Sequence, residues 1–339
     1  MKSRVWRSFS LWYLIGVHLI AIFAGFVAPY DFARQERTRP FAGPTRVHFV
    51  DSSGKFHLRP FVYGIEKSED LGSGYTEDRS IFYPIQFLVS GDEYAVGPFH
   101  CSLHLFGIEG PERFYLLGAD GFGRDQFSRM LYGGRISLFA GLLAAALAGC
   151  LGLLIGGMAG YYGGALDDLT MRFAEVFIAV PWFYLLVAVR AVLPLHLDPS
   201  ASFSLVVITV GFVAWARPAK LVRGVILSAK ERSFVLASRG FGASTFHILQ
   251  RHIAPAASGV LLTQITLLVP QFVLTEVALS FLGLGVAEPV PSWGNMLAAA
   301  QHYNVLVSYW WMLIPGLVPI PTFIAYHALS DNLHARLDC

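Results

Sequence analysis

The chain has 339 residues, of which 55% are hydrophobic and only 14% charged. This apolar content exceeds what a soluble domain of the same length needs for its core, so the composition indicates a chain embedded in lipid. The formal net charge of +2 is too small to predict nucleic-acid binding, and no CxxC pair is present that would predict a zinc site.

The N-terminal segment has a basic start followed by an apolar stretch at 9–28, about the length that spans a hydrocarbon core. The stretch has features of a signal sequence, but it is long, has no clean small-residue cleavage site and is followed directly by Pro29. We therefore expect residues 1–28 to form a cytoplasmic N-terminus and a retained first transmembrane helix.

Further along the chain are more long apolar segments, which carry few charges and show no period-two alternation. They lie at 136–161, 173–193, 201–216, 257–285 and 305–329. Uninterrupted apolar segments predict helices rather than the strands of a barrel. The predicted fold class is an all-α polytopic membrane protein with six transmembrane helices: the first helix, a five-helix core over 136–330, and a tail at 331–339.

The connections between these segments differ in charge. Residues 219–255 carry six Lys or Arg residues, whereas 194–200 and 286–304 carry none. Because short basic loops stay in the cytoplasm, the basic connection and both termini are predicted to be cytoplasmic, and residues 29–134 to lie outside.

The long connection after the first helix is predicted to be an exported, periplasmic insertion. Residues 29–116 are polar, with Gly and Pro punctuation and short aromatic runs, which favours a small, partly β-structured region between spans 1 and 2. Long connections cross the membrane largely regardless of their charge, so the arginines in this region do not contradict the orientation.

Residues 117–135 are predicted to form an interfacial segment ahead of the second span. Asp120 and Arg124, and likewise Asp125 and Arg129, are four residues apart and are expected to pair on one exposed face of an amphipathic helix. Exposed ion pairs are cheap and common, so this segment is assigned a role in orientation and solubility and no chemistry.

The second predicted span carries a stripe of small residues, Gly152, Gly156 and Gly160, spaced by four. Small residues allow two helix backbones to approach closely. Packing against another helix or subunit is therefore favoured over lining a solute pathway.

Glu276 is an ionisable residue inside the fifth predicted span. Such residues are costly in lipid unless they face protein or water. Two interpretations remain open: a pathway contact with a cationic group such as a peptide amine, or a structural hydrogen bond.

The cytoplasmic connection at about 219–256 has the sharpest pattern. It predicts a short amphipathic helix, a turn at Gly242, a second short helix and a stop at Pro255. Apolar residues in the loop would supply buried anchors in a groove of a soluble partner, with arginines at the rim; these anchors are Phe234, Val235, Leu236 and Phe241. The alternative is a basic helix that lies on anionic lipid.

This loop resembles the coupling loop of ATP-binding-cassette (ABC) importer permeases, specifically of the dipeptide/oligopeptide family, whose pattern runs approximately E-Y-V-x-A-A-R-x-x-G-x-S, then I-x-R-H-I-L-P-N. The matching residues are Glu231, Phe234, Val235, Ala237, Arg239, Gly242, Ser244, Ile248, Arg251, His252, Ile253 and Pro255. Leu236 stands where the family usually has an acidic residue. Residues 117–138 and 279–297 also resemble the six-span second member of that permease pair.

The resemblance implies a subunit of a bacterial inner membrane that forms half of a solute pathway by alternating access. The implied partners are a homologous second permease, two cytoplasmic ATP-binding subunits and an extracytoplasmic solute-binding protein, besides membrane lipid. ATP and Mg would bind to the partner subunits, and no cofactor is expected in this chain. Short peptides, modified peptides and metal chelates are all compatible solutes.

The sequence has no phosphate-binding loop, because the only Gly-Lys pair, Gly54-Lys55, is followed by Phe56. We therefore expect a non-catalytic subunit whose energy comes from its partners. Two other classes remain: an ion-coupled secondary transporter, which would need more intramembrane acids and often a repeated half, and a membrane assembly scaffold, which would not need the coupling loop.

Overall fold

The computed structural model describes residues 2–67, 74–192, 198–248, 250–251 and 254–337. The chain divides into two compact units. The first unit consists of Met1–Ile15, Ser137–Leu279 and Pro319–Cys339, and the second of Gly16–Ile136 and Ser280–Val318.

The described part of the chain is mostly helical. Its helices are α1 (Lys2–Ile22), α2 (Ala24–Val27), α3 (Gln126–Tyr162), α4 (Gly164–Ala179), α5 (Trp182–Val192), α6 (Pro199–Val213), α7 (Ala216–Lys230), α8 (Ser233–Gly240), α9 (Thr245–Ile248), α10 (Ala254–Phe281), α11 (Trp293–Ala298), α12 (Tyr303–Ser308), α13 (Ile314–Leu317) and α14 (Pro319–Leu337). Short 3₁₀ turns at Ala299–Gln301 and Trp310–Leu313 flank α12.

In the described residues, three helical stretches are long and apolar enough to cross a membrane: Gln126–Tyr162, Ala257–Phe281 and Trp310–Ala335. Two bent helix pairs, α4 with α5 and α6 with α7, raise the number to five if each pair is one span. The protein is therefore a helical, multi-pass membrane protein.

The third predicted span differs from a single straight helix. Helices α4 and α5 meet at an angle of 87° around Pro181. Proline has no N–H to donate and disfavours helical backbone in the residue before it, and Val180 is accordingly extended, with φ −71° and ψ 128°. The fourth predicted span also bends, by 41°, where α6 passes into α7.

The predicted interfacial segment is not a separate amphipathic helix. Helix α3 begins at Gln126, ten residues before the predicted start of the second span, and Asp120 and Arg124 lie in the turn that precedes it. Asp125 adjoins the helix, and its Oδ2 accepts hydrogen bonds from Ser128 N at 2.7 Å and Ser128 Oγ at 2.6 Å. This side chain supplies an acceptor that the first turn of a helix lacks.

Residues 48–108 of the second unit contain a four-stranded antiparallel sheet in the order β1 (His48–Val50), β2 (Phe56–Lys67), β3 (Tyr75–Val96) and β4 (Phe99–Ile108). The register shifts in β2 after Tyr63 and in β3 after Ser90. Such irregularities bend strands and increase their twist. Val62, Ile85 and Phe114 form the buried core beneath the sheet.

Candidate functional site

The predicted loop at 219–256 consists of two short helices, α8 and α9, between the long helices α7 and α10. One side chain of α8, Val235, is fully buried and packs with Val222 and Ile226 of α7, Ile248 of α9 and Ala257 of α10. Burial of a valine side chain stabilises a fold by roughly 1.5–3 kcal/mol. The loop is therefore fixed to the first unit through a small apolar core of its own.

The four predicted anchors of the loop do not behave alike. Phe234 and Leu236 are about half exposed, and Phe241 is 92% exposed. The prediction that Val235 is available to a partner is wrong, because the period of the helix turns Val235 towards α7 while its two neighbours flank it. The other three apolar side chains are exposed at the surface of the unit.

Gly242 lies in the turn after α8, with φ +81°. Its N–H donates to Arg239 O at 3.0 Å, and the N–H of Ala243 donates to Ser238 O at 3.0 Å. This hydrogen-bond pair is the Schellman arrangement, which places a residue with left-handed backbone directly after the helix and favours glycine there.

The sequence predicted that Pro255 stops the second short helix, but the structure places this residue elsewhere. It lies in the first turn of α10, where the missing N–H would have had no intrahelical acceptor. Ser244 Oγ accepts a hydrogen bond from His247 N at 3.3 Å at the start of α9. Ala237 is exposed on α8.

The charged residues of the loop lie at its surface. Glu231 is the exposed residue that directly follows α7, and Arg251 is also exposed. Arg239 donates to Tyr161 Oη at 3.4 Å and lies over the Tyr161 ring at 5.7 Å. His252 and Ile253, which belong to the matched pattern, lie outside the described residues.

The glycine stripe of α3 lies against α7. A Cβ added at Gly156 would be 2.2 Å from Ala219 O, and one at Gly152 would be 2.4 Å from Pro218 Cβ. At Gly160 the nearest atom would be Arg223 O at 3.0 Å. The two helix backbones are therefore in direct contact, which side chains larger than glycine would prevent.

A charged contact joins α4 to α7 beside this stripe. The Arg223 guanidinium binds the Asp167 carboxylate through two hydrogen bonds, one of them Nη2 to Oδ2 at 2.6 Å. Lys230 Nζ at the end of α7 donates to Gly160 O at 3.1 Å. Helices α3, α4 and α7 are thus linked by polar contacts as well as by packing.

Glu276 is buried inside α10, and Ser137 Oγ of α3 donates to its Oε2 at 2.5 Å. This contact favours the structural interpretation of Glu276, because the carboxylate has a hydrogen-bond donor from a neighbouring helix instead of facing water. The hydrogen bond also assigns a structural role to Ser137, which lies in the family-like segment 117–138.

A buried charge cluster in the second unit was not expected from the sequence. Arg124 Nε donates to Asp120 Oδ2 at 2.7 Å, as the spacing predicted, but the predicted Asp125–Arg129 pair is not formed. Arg129 instead donates from Nη2 to Glu288 Oε1 at 2.9 Å. Both arginines are buried rather than exposed, and no sequence spacing could connect them to Glu288.

These features define a class: a multi-pass helical membrane protein with a packed helical unit, in which the short helix α8 and the turn after it present apolar side chains. Comparison with known proteins identifies the family within this class. Residues 152–338 match the family model described as "Binding-protein-dependent transport system inner membrane component". The match includes the glycine stripe, the loop and Glu276, and leaves out residues 1–151.

Among curated relatives, the chain is 40% identical to the dipeptide transport system permease protein DppC of Bacillus subtilis (strain 168), over 67% of this chain and 69% of the relative. It is 37% identical to the oligopeptide transport system permease protein OppC of the same organism, over 67% and 72%. It is 35% identical to the glutathione transport system permease protein GsiD of Pectobacterium atrosepticum, over 68% and 74%.

The chain belongs to the family of binding-protein-dependent transport system inner membrane components and is a permease subunit of an ABC importer.

Proposed function

We propose that this subunit forms half of the translocation pathway for short peptides or peptide-like solutes, with a homologous permease as the other half. Two ATP-binding subunits would drive alternating access from the cytoplasm, and an extracytoplasmic binding protein would deliver the solute. The names of the relatives, which specify dipeptides, oligopeptides and glutathione, support peptides as the solute class.

The proposed topology has six spans. The three long stretches and the two bent pairs account for five, and α1, which contains the apolar helical stretch Phe9–Ile22, would be the first. The charge pattern of the connections supports cytoplasmic termini and an exported segment at 29–116, whose sheet we propose to contact the binding protein or to cap the pathway.

The observation that carries the proposal is the difference in burial among the apolar side chains of the loop. Val235 fixes α8 to α7, while the side chains of Phe234 and Leu236 are about half exposed and that of Phe241 is almost fully exposed. Exposed apolar side chains on a short helix are what helix-in-groove recognition uses. We therefore expect this loop to bind in a groove of a soluble ATP-binding subunit.

The packing of α8 on α7, and of α7 on α3, would transmit a movement of the loop to the membrane helices. Val235 contacts Val222 and Ile226 of α7, and α7 is in backbone contact with α3 at Gly156. Close-packed interiors do not deform continuously, so a displacement of α8 is passed on to α7 and α3 as a shift of packed helices. This arrangement supports coupling between ATP-driven movement and the pathway.

The coupling proposal is tested at Gly242. Gly242→Val places a β-branched residue at φ +81°, which costs on the order of 1–3 kcal/mol locally. A Cβ at that position would meet no described atom within 4 Å, so the backbone conformation alone is perturbed. We expect normal membrane insertion and permease pairing, with weaker ATPase co-purification or uncoupled hydrolysis.

Gly240→Val is the matched control, because Gly240 is also free of contacts within 4 Å of an added Cβ but has ordinary helical backbone. The control should retain uptake. If the loop only lies on lipid, Gly242→Val will transport normally and neutralisation of Arg232, Arg239 and Arg251 together will be the more damaging change. Normal coupled uptake by Gly242→Val would reject the coupling proposal.

A further inference from the structure

The second unit contains a cleft of about 620 Å³ that the permease function described above does not use. Its walls come from Phe41, from the turn before α3 and the first turn of that helix, and from residues 280–312. A cleft of this size falls in the range that binds small molecules. Arg124, Arg129 and Gln126 are among its lining residues.

The two arginines are buried and share one carboxylate. Arg124 Nη1 donates to Glu288 Oε2 at 2.6 Å, and Arg129 Nη2 donates to Glu288 Oε1 at 2.9 Å. Asp120 lies on the other side, with Oδ2 2.7 Å from Arg124 Nε and 3.6 Å from Arg129 Nε. The two guanidiniums therefore form a fork that holds a carboxylate through both of its oxygens.

Glu288 differs from the other members of this cluster in its exposure. Its side chain is 48% exposed, whereas those of Asp120, Arg124 and Arg129 are 7%, 6% and 2% exposed. A carboxylate that is already half exposed becomes fully hydrated when it rotates out, which offsets the loss of its ion pairs, but a buried guanidinium cannot be left unpaired. Exchange of Glu288 for another carboxylate would keep both arginines paired.

The backbone around Glu288 is held while its side chain reaches the fork. Asn295 Nδ2 donates to Val286 O at 3.3 Å and to Val290 O at 2.9 Å, on either side of Glu288. A side-chain rotation is therefore enough for the exchange, without any rearrangement of the loop.

Gln126 supplies a second, independent indication of a ligand. Its Oε1 is buried, lies on a residue that lines the cleft, and accepts no hydrogen bond from the described part of the chain. A buried acceptor without a donor costs about 1–3 kcal/mol. An N–H group on a bound molecule would satisfy it once the Gln126 side chain turns this oxygen towards the cleft.

We propose that this cleft is a subsite for the C-terminal carboxylate of a peptide solute, with Glu288 as a displaceable internal carboxylate. The carboxylate of the solute binds the Arg124–Arg129 fork, and a backbone N–H of the solute donates to Gln126 Oε1. The inference rests on the proposed peptide importer and deepens it. Binding that must first displace Glu288 is weak and reversible, as a transport pathway requires.

The test measures binding to the complete transporter in nanodiscs, without the binding protein, by saturation-transfer NMR. The probes are L-alanyl-L-alanine and its C-terminal amide, which lacks the carboxylate. We expect the free acid to bind and the amide to bind much more weakly. If Glu288 occupies the fork about 90% of the time, Glu288→Gln should tighten binding of the free acid about tenfold.

Glu93→Gln is the matched control, since Glu93 is an exposed acid of the sheet away from the cleft, and it should leave both affinities unchanged. If the Glu288→Gln complex does not assemble, Glu288→Asp keeps the charge but shortens the reach, and should also tighten binding of the free acid. Equal binding of acid and amide, or unchanged affinity in an assembled Glu288 variant, would overturn the inference.

Inorganic phosphate separates a carboxylate subsite from a general anion site. Phosphate should compete poorly with L-alanyl-L-alanine for the cleft. A phosphate affinity equal to that of the dipeptide would overturn the carboxylate assignment. Uptake by the wild-type importer with its binding protein is measured in parallel. Failure to take up any peptide rejects the proposed function, whereas uptake without carboxylate-dependent binding at the cleft rejects only this inference.

Discussion

The glycine contact between α3 and α7 gives a prediction whose size follows from the structure. In Gly156→Ala, the new Cβ would lie 2.2 Å from Ala219 O and 2.8 Å from Ala219 C. Close carbon–oxygen contacts in proteins are about 3.3 Å or longer, so the helices would have to separate by about 1 Å. Because the obstructing atoms are backbone, no side-chain rotation can relieve the clash.

Overpacking of this kind costs about 1–3 kcal/mol. Gly157→Ala is the control in the same helix, because its Cβ would meet only Ile226 Cδ1 at 3.8 Å, an ordinary contact. That control should gain up to about 1 kcal/mol of helix propensity. The measurement is the melting midpoint of the detergent-purified transporter, together with the ratio of solute uptake to ATP hydrolysis.

We expect Gly156→Ala to melt below the wild type and Gly157→Ala to melt at or above it. The same reasoning ranks the stripe: Gly152→Ala should be less damaging than Gly156→Ala, because its closest obstruction is the ring of Pro218 at 2.4 Å, and Gly160→Ala the least damaging. Equal midpoints for Gly156→Ala and Gly157→Ala would refute the close-packing argument.

Three further outcomes are expected. Ser137→Ala should lower the free energy of unfolding by about 1–3 kcal/mol, because it leaves the buried Glu276 carboxylate without this donor. The variant should therefore melt at a lower temperature than the wild type, and an unchanged melting midpoint would contradict the contact. Val235→Ala should destabilise the loop by roughly 1–2.5 kcal/mol and increase its proteolysis, while Phe241→Ala, at an exposed position, should leave proteolysis unchanged. Burial raises the pKa of Asp125 to about 6 from its ordinary 3.8, so the folded state binds this proton more tightly and loses stability as pH rises from about 4 to 6. Asp125→Asn should remove that loss, worth up to about 3 kcal/mol, and a difference between wild type and variant that does not change with pH would contradict it.

Much of the architecture could be predicted from the sequence, because long apolar segments have few alternatives in lipid. Helices and their approximate positions follow from the need to satisfy backbone hydrogen bonds without water. The turn at Gly242 was also predictable, since positive φ favours a residue without Cβ. Both signals are local: they depend on residues close together in the chain.

The bends, the division among the loop anchors and the buried charge cluster depended on tertiary structure. The break at Pro181 was visible as a residue, but its 87° angle was not, since proline sets a local constraint while the packing of neighbouring helices sets the direction. Likewise, the hydrophobicity of Val235 and Phe241 gave no means of telling which one is buried.

The contact between Arg129 and Glu288 shows the limit most clearly. The four-residue spacing predicted Asp125 as the partner of Arg129, yet Asp125 accepts hydrogen bonds from Ser128 at the start of α3. Glu288 is 159 residues away along the chain. The sequence by itself determined which segments are helical and which residue types are available. Only the tertiary structure decided the partners of the buried charges, because desolvation makes each of them bind the nearest complementary group in space, whatever its distance in sequence.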